Sequence, residues 1–109
     1  MNANFPLVYL SGGDELFGAN YGASSVHTIT RKGYAAACPN ATKLFNQLTF
    51  TVPMENAIMG EILDNGADAK KAATAYIKAN PALVAPWLEG VTTLDGKDGL
   101  AAAKSALSI

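Results

Sequence analysis

A chain of 109 residues with 50% apolar and 16% charged side chains has the length of one small domain and a globular composition, which excludes an intrinsically disordered chain. Eight Lys plus Arg against nine Asp plus Glu leave a formal net charge of −1, so there is no electrostatic footprint for nucleic acid or an anionic membrane. No apolar run approaches the roughly 18 residues of a membrane span, and the first residues lack the basic start and apolar stretch of a secretory signal. A soluble chain with no export signal of its own is the expectation.

In chain order, Leu7-Val8-Tyr9-Leu10 is apolar and β-prone and runs into Ser11-Gly12-Gly13, which predicts a buried strand followed by a loop. Gly12, Gly13, Gly18 and Gly22 crowd that loop with turns, and Phe17 and Tyr21 are positioned to tether it to apolar surface. Ser25-Val26-His27-Thr28-Ile29-Thr30 is rich in β-branched residues and predicts a second strand, closed by Arg31-Lys32-Gly33.

From Tyr34 onward the apolar spacing is helical. A short turn is expected over residues 34–37, and Pro39 is suited to open a helix carrying Leu44, Phe45 and Leu48. The next helix begins near Thr51-Val52-Pro53, buries Met54, Ala57, Ile58 and Ile62, and stops at Asn65-Gly66. Asp68 caps a helix whose stripe is Ala69, Ala72, Ala73, Tyr76 and Ile77, with Lys70, Lys71, Thr74 and Lys78 toward water. Asn80 is placed to cap the following element, with Pro81 at its first position and Pro86 expected to kink it. Residues 94–99 read as a turn, and Asp98 caps a thin alanine-rich helix over residues 100–107.

The chemistry-bearing residues are sparse. Cys38 is the single cysteine, which removes disulfide frameworks and sulfur-based zinc sites and leaves a buried inert thiol as the expected state. His27 is the single histidine and has no carboxylate near it in sequence except Asp14 and Glu15 across the glycine loop, so no metal site is expected. The neighbouring Ser24 and Ser25 lack the setting of a nucleophile elbow, the glycines at 13 and 18 are not followed by the Lys and Ser or Thr of a phosphate loop, and no catalytic residue, enzyme activity or cofactor is expected. Residues 64–68 open like a calcium loop without its closing glutamate, and a helix stop followed by a cap explains them. Tyr9, Phe17, Tyr21, Tyr34, Tyr76 and Trp87 could supply a cation-π cage for a quaternary ammonium, although Tyr76 and Trp87, at helical spacing among aliphatics, read as core.

Three stretches together, Gly18-Ala19-Asn20-Tyr21-Gly22 with Ser25-Val26-His27-Thr28-Ile29, then Pro39-Asn40-Ala41-Thr42-Lys43-Leu44-Phe45, then Asn56-Ala57-Ile58-Met59 through Asn80-Pro81 and Trp87-Leu88, resemble the C-terminal part of substrate-binding proteins of ABC importers for glycine betaine, proline betaine and choline. The resemblance runs over residues 7–90 and rests on order and spacing; residues 91–109 are an extension it does not reach. It implies an α/β fold, a partial lobe of the type II periplasmic-binding-protein architecture with about two strands and four to five helices, in one unit over residues 1–109. It also implies a quaternary-amine ligand, an ABC permease as partner and a periplasmic or extracytoplasmic home.

In such proteins two lobes close on the ligand, and most of the cage comes from parts of the polypeptide that this chain does not match. Tyr21 and His27, near the crossover between lobes, are the ligand-binding candidates. The expected function is therefore that of a partial substrate-binding protein for a glycine betaine-like osmolyte. The alternative is a freestanding interaction domain that has lost ligand binding. Because a two-stranded sheet with apolar faces is marginal in water, self-association into a homo-oligomer is expected in either case.

Overall fold

The computed structural model describes residues 6–8, 10–18 and 25–109. Among them the order is α1 (Asp14–Phe17), α2 (Tyr34–Ala37), α3 (Pro39–Gln47), α4 (Val52–Leu63), α5 (Ala69–Ala79), a 3₁₀ turn (Pro81–Leu83), α6 (Val84–Trp87) and α7 (Gly99–Leu107).

The long helices start where side-chain caps place them. Thr51 Oγ1 accepts from the Met54 N–H at 3.4 Å, Asp68 Oδ1 from the Lys71 N–H at 3.0 Å, and Asp98 Oδ1 from the Ala101 N–H at 2.6 Å. Proline opens α3 and stands in the first turn of α4, where its missing N–H costs nothing. Helix α4 stops as expected: Gly66 takes a φ of 66°, which a side chain would resist, and the Ala67 N–H turns back to the Glu61 carbonyl at 3.0 Å.

Two local expectations are corrected. The Asn80 side chain does not cap forward; its Nδ2 donates back to the Tyr76 carbonyl at 2.9 Å and so ends α5. Residues 81–88 are not one kinked helix but a 3₁₀ turn and a single α turn. Pro86, inside α6, has no N–H to offer to the Ala82 carbonyl, so the α turn closed by the Leu88 N–H on the Val84 carbonyl is not continued backward into the turn before it.

The larger correction concerns the sheet. Neither residues 7–10 nor residues 25–30 form a strand among the described residues, and the α/β expectation is met only in its helical part. Among the described residues the β pairing is an isolated antiparallel bridge between Thr92 and Asp98. A strand exists only where a neighbour takes its N–H and C=O groups, and no backbone–backbone hydrogen bond joins residues 25–30 to any described residue. The β propensity is present in the sequence, but no partner strand stands among the described residues. The loop also holds the short α1, with two acidic residues in its first turn.

The core is small and sits where α4, α5, α6 and the start of the C-terminal segment meet. Met54, Ala72, Val84, Trp87 and Val91 are its buried hydrophobic residues among those described. Ile58, Ile62, Ala73, Tyr76 and Ile77 are half-buried, while Ala57 and Ala69 are exposed, so the buried stripes are narrower than the spacing predicts. Phe50 reaches Trp87 with ring centroids 5.5 Å apart and ties the link before α4 to α6. Helix α7 packs on α6, and Gly99 sits close under it: a Cβ there would lie 2.6 Å from the Val91 carbonyl oxygen.

Candidate functional site

A polar spine on α3 holds the C-terminal segment. Asn40, Lys43 and Gln47 lie on one face, three and four residues apart, and all three reach the backbone of residues 89–92. Asn40 Nδ2 donates to the Thr92 carbonyl at 2.7 Å while Asn40 Oδ1 accepts from the Thr92 N–H at 2.9 Å, so the amide imitates a neighbouring strand. Lys43 Nζ donates to the Gly90 carbonyl at 3.0 Å, and Gln47 Nε2 to the Glu89 carbonyl at 3.0 Å. Gly90 has a φ of 61°, and a Cβ would stand 3.1 Å from the Lys43 Nζ, so glycine suits both the backbone and the approach. Gln47 Oε1 is buried without a hydrogen-bond partner. An open groove of about 540 Å³ runs along this spine, between α3 and residues 89–90.

Beside it, residues 25–30 border two adjoining grooves, which share Val26, His27, Thr28 and Leu48. One, of about 470 Å³, is bounded by residues 25–28, Leu48, Phe50, Val52 and Glu55; the other, of about 480 Å³, by Val26, Thr30, Ala35, Thr42 and Phe45. His27 borders both, and its exposed ring meets Ser25 Oγ through Nε2 at 3.0 Å. Of the two sequence-derived ligand candidates, His27 is thus placed at the junction of two grooves, and Tyr21 lies outside the described residues, as does Tyr9.

The aromatic side chains of this region are committed to one another. Tyr34 stacks on Phe45 at 6.0 Å, and the Arg31 guanidinium lies 5.6 Å from the Tyr34 ring centroid, so the cation at that ring face belongs to the chain itself. Trp87 is 8% exposed and Tyr76 half-buried, in keeping with their reading as core. Phe50, half-exposed beside Glu55, offers one aromatic face and one carboxylate to the first groove, whereas a quaternary-ammonium cage takes several converging faces. No cluster of three or more His, Cys, Asp or Glu able to hold a metal occurs among the described residues. Cys38 is half-buried.

Sequence reasoning missed the Asn40, Lys43 and Gln47 spine. Its visible signal was a polar stripe along a helix expected to bury Leu44 and Phe45. Its targets are carbonyls 42 to 52 residues away, which no spacing rule reaches.

Comparison with known proteins completes the picture. Residues 1–79 match the family of the substrate-binding domain of ABC-type glycine betaine transport systems. The glycine betaine/carnitine transport binding protein GbuC of Listeria monocytogenes is 34% identical over 98 residues, which cover 90% of this chain and 31% of that protein. Among solved structures, an ABC-transporter choline-binding protein in complex with choline is 59% identical and aligns over 98% of this chain and 37% of its own, with a TM-score of 0.84. A choline-binding protein in an unliganded, semi-closed conformation is 57% identical and aligns over 99% of this chain and 38% of its own, with a TM-score of 0.78.

The chain therefore belongs to the family of substrate-binding domains of ABC-type glycine betaine transport systems, a family of transport binding proteins and not of enzymes. It carries part of that fold, spanning between 31% and 38% of the length of these relatives. No helix among the described residues is long and apolar enough to cross a membrane.

Proposed function

We propose that this chain is part of an extracytoplasmic substrate-binding protein that captures a quaternary amine and delivers it unchanged to an ABC permease. The observation that carries the reading is the likeness, at 59% identity over 98% of the chain, to a protein holding choline. Choline, glycine betaine and carnitine share a trimethylammonium head that cannot donate a hydrogen bond and is held by aromatic faces through cation-π attraction. A carboxylate of the protein adds Coulomb attraction without competing for hydrogen bonds. In a two-lobed binding protein such a site closes by hinge motion, and burial of the cation between lobes strengthens both terms.

From this chain, Tyr21 and His27 are the residues proposed to approach the ligand. His27 is supported by its exposed position between two grooves. Residues 1–109 are proposed to act as one unit, with residues 91–109 secured by the paired hydrogen bonds between Asn40 and Thr92.

The test is a graft. This chain replaces the matching C-terminal portion of the choline-binding relative, and the purified hybrid is titrated calorimetrically with choline, glycine betaine and carnitine. Saturable binding of at least one, at one ligand per hybrid, supports the proposal; no heat with any of the three at millimolar ligand refutes it. A second reading, a freestanding domain that associates with itself and binds no amine, is favoured by the exposed apolar residues around residues 25–30, Phe50 and Val52. It requires a homo-oligomer in light scattering and a hybrid that takes no ligand.

A further inference from the structure

Charge is unevenly placed along this chain. Lys70, Lys71 and Lys78 all stand on α5, which has no Asp or Glu between Ala69 and Ala79, whereas the chain outside residues 68–79 holds five basic and eight acidic residues. Residues 70, 71 and 78 fall within an arc of about 100° around the helix, and all three are exposed. Together with Asp68, Thr74 and Ala75 they border an open groove of about 490 Å³, which shares no residue with the grooves at His27.

The fold makes little use of these three charges. Among the described residues the salt bridge joins Lys97 to Asp95, and no carboxylate pairs with Lys70, Lys71 or Lys78. Lys70 and Lys71 lie in the first turn of α5, at the positive end of the helix dipole, where cations are disfavoured. Asp68 spends Oδ1 on the Lys71 N–H at 3.0 Å, and Thr74 donates its hydroxyl proton to the Lys70 carbonyl at 2.7 Å. The side-chain donors left open to the groove are the ammonium groups.

We propose that this face of α5 docks an extended acidic segment of a partner protein, whose carboxylates pair with Lys70, Lys71 and Lys78. Complementary charge selects the chemistry of the occupant, and the helix selects its form. Residues 70 and 78 are about 12 Å apart along the axis, while an extended chain presents side chains of one face at intervals of about 6.6 Å. Asp or Glu at alternate positions, two steps apart, therefore spans the lysines. An anionic membrane is the poorer occupant, because such surfaces take clusters of roughly four to eight basic residues, and Glu61 borders the adjoining groove with Lys71, where a plane of lipid phosphates would meet it. The docking face goes beyond the amine site and stands whether or not that reading holds.

The probe is an eight-residue peptide of alternating Glu and Ser, titrated into the ¹⁵N-labelled full chain at low salt, with a Gln and Ser peptide as reference. The Glu peptide shifts the amides of residues 68–78 saturably, the reference does not, and raising the salt weakens binding at least fivefold. Lys70→Gln, Lys71→Gln and Lys78→Gln together weaken it at least tenfold with the helical circular dichroism unchanged. Lys32→Gln, Lys97→Gln and Lys104→Gln together remove the same charge elsewhere and leave that binding in place. No saturable shift, or equal losses in the two triple variants, overturns the assignment. Vesicles of equal parts phosphatidylglycerol and phosphatidylcholine form a second arm: vesicle binding that the first triple variant abolishes, without peptide binding, gives the face to a membrane and also overturns it. The graft described above retains the peptide site; its loss there would mean that the remaining polypeptide covers α5 and would overturn the docking face. Peptide binding by a graft that takes no amine keeps the docking face and refutes the proposed ligand class alone.

Discussion

Replacing Asn40 with alanine removes both hydrogen bonds that hold Thr92 on helix α3, at 2.7 and 2.9 Å, and leaves the helix itself without a lost cap, because Asn40 lies inside α3 after Pro39. Each such bond contributes about 0.5–1.5 kcal/mol net, and the partial exposure of this pair puts the sum near the lower half of the range, about 1–2 kcal/mol. For a chain of this size that corresponds to a melting midpoint lower by roughly 5–10 °C. Lys43→Ala is the internal control. It also removes a bond to the same segment, Nζ to the Gly90 carbonyl at 3.0 Å, but a single one from a long side chain whose fixing costs up to about 2 kcal/mol of rotamer freedom, so its effect is under half as large. Thermal unfolding followed by circular dichroism at 222 nm reads both. A midpoint for Asn40→Ala within 1 °C of the parent, or a larger loss for Lys43→Ala, would refute the claim that the amide pair anchors the C-terminal segment.

Gly99→Ala is expected to destabilise by about 1–3 kcal/mol in denaturant unfolding, because the new Cβ meets the Val91 carbonyl oxygen at 2.6 Å and the backbone has to give way; a neutral result would mean that α7 is not seated on residue 91. At Asp95, the Lys97 ammonium at 2.6 Å and then the Thr93 hydroxyl hold the carboxyl below its usual range. The stabilisation is therefore present above the unfolded pKa near 3.8 and is lost as the pH falls through the lower folded value. NMR titration of the Asp95 carboxyl should show a midpoint below 3.8 that rises toward it in Lys97→Met, and an unchanged midpoint in that variant would remove the ion pair from the account.

What could be read from the sequence was local. Thr51, Asp68 and Asp98 each satisfy an N–H three residues on, so the helix starts were legible from side-chain chemistry alone. Asn80 shows the limit of that reasoning, since one amide between two helical elements can serve either end, and here it joins the Asn80 backbone N–H on the Tyr76 carbonyl. The strands failed for a different reason. Residues 25–30 have the composition of a strand, but a ladder is a property of two segments, and no described residue offers the second.

The candidate site divides the same way. The family resemblance identified the kind of ligand to look for, and the position of His27 in the strand-like run placed it at the two grooves. The Asn40, Lys43 and Gln47 spine stayed invisible because its acceptors are main-chain atoms far along the chain. The aromatic cage could not be assembled from composition, because Tyr34, Phe45, Phe50 and Trp87 spend their faces on each other and on Arg31.

That last point makes the most direct test a titration of the chain by itself. If the ligand site of this family is completed only by polypeptide beyond this chain, choline and glycine betaine titrated calorimetrically into the purified 109-residue protein should bind no more tightly than about millimolar, because the groove beside His27 that carries the Glu55 carboxylate is lined by one aromatic ring, Phe50. Saturable binding in the low micromolar range, at one ligand per chain, would contradict the account and require a complete quaternary-ammonium cage within these 109 residues.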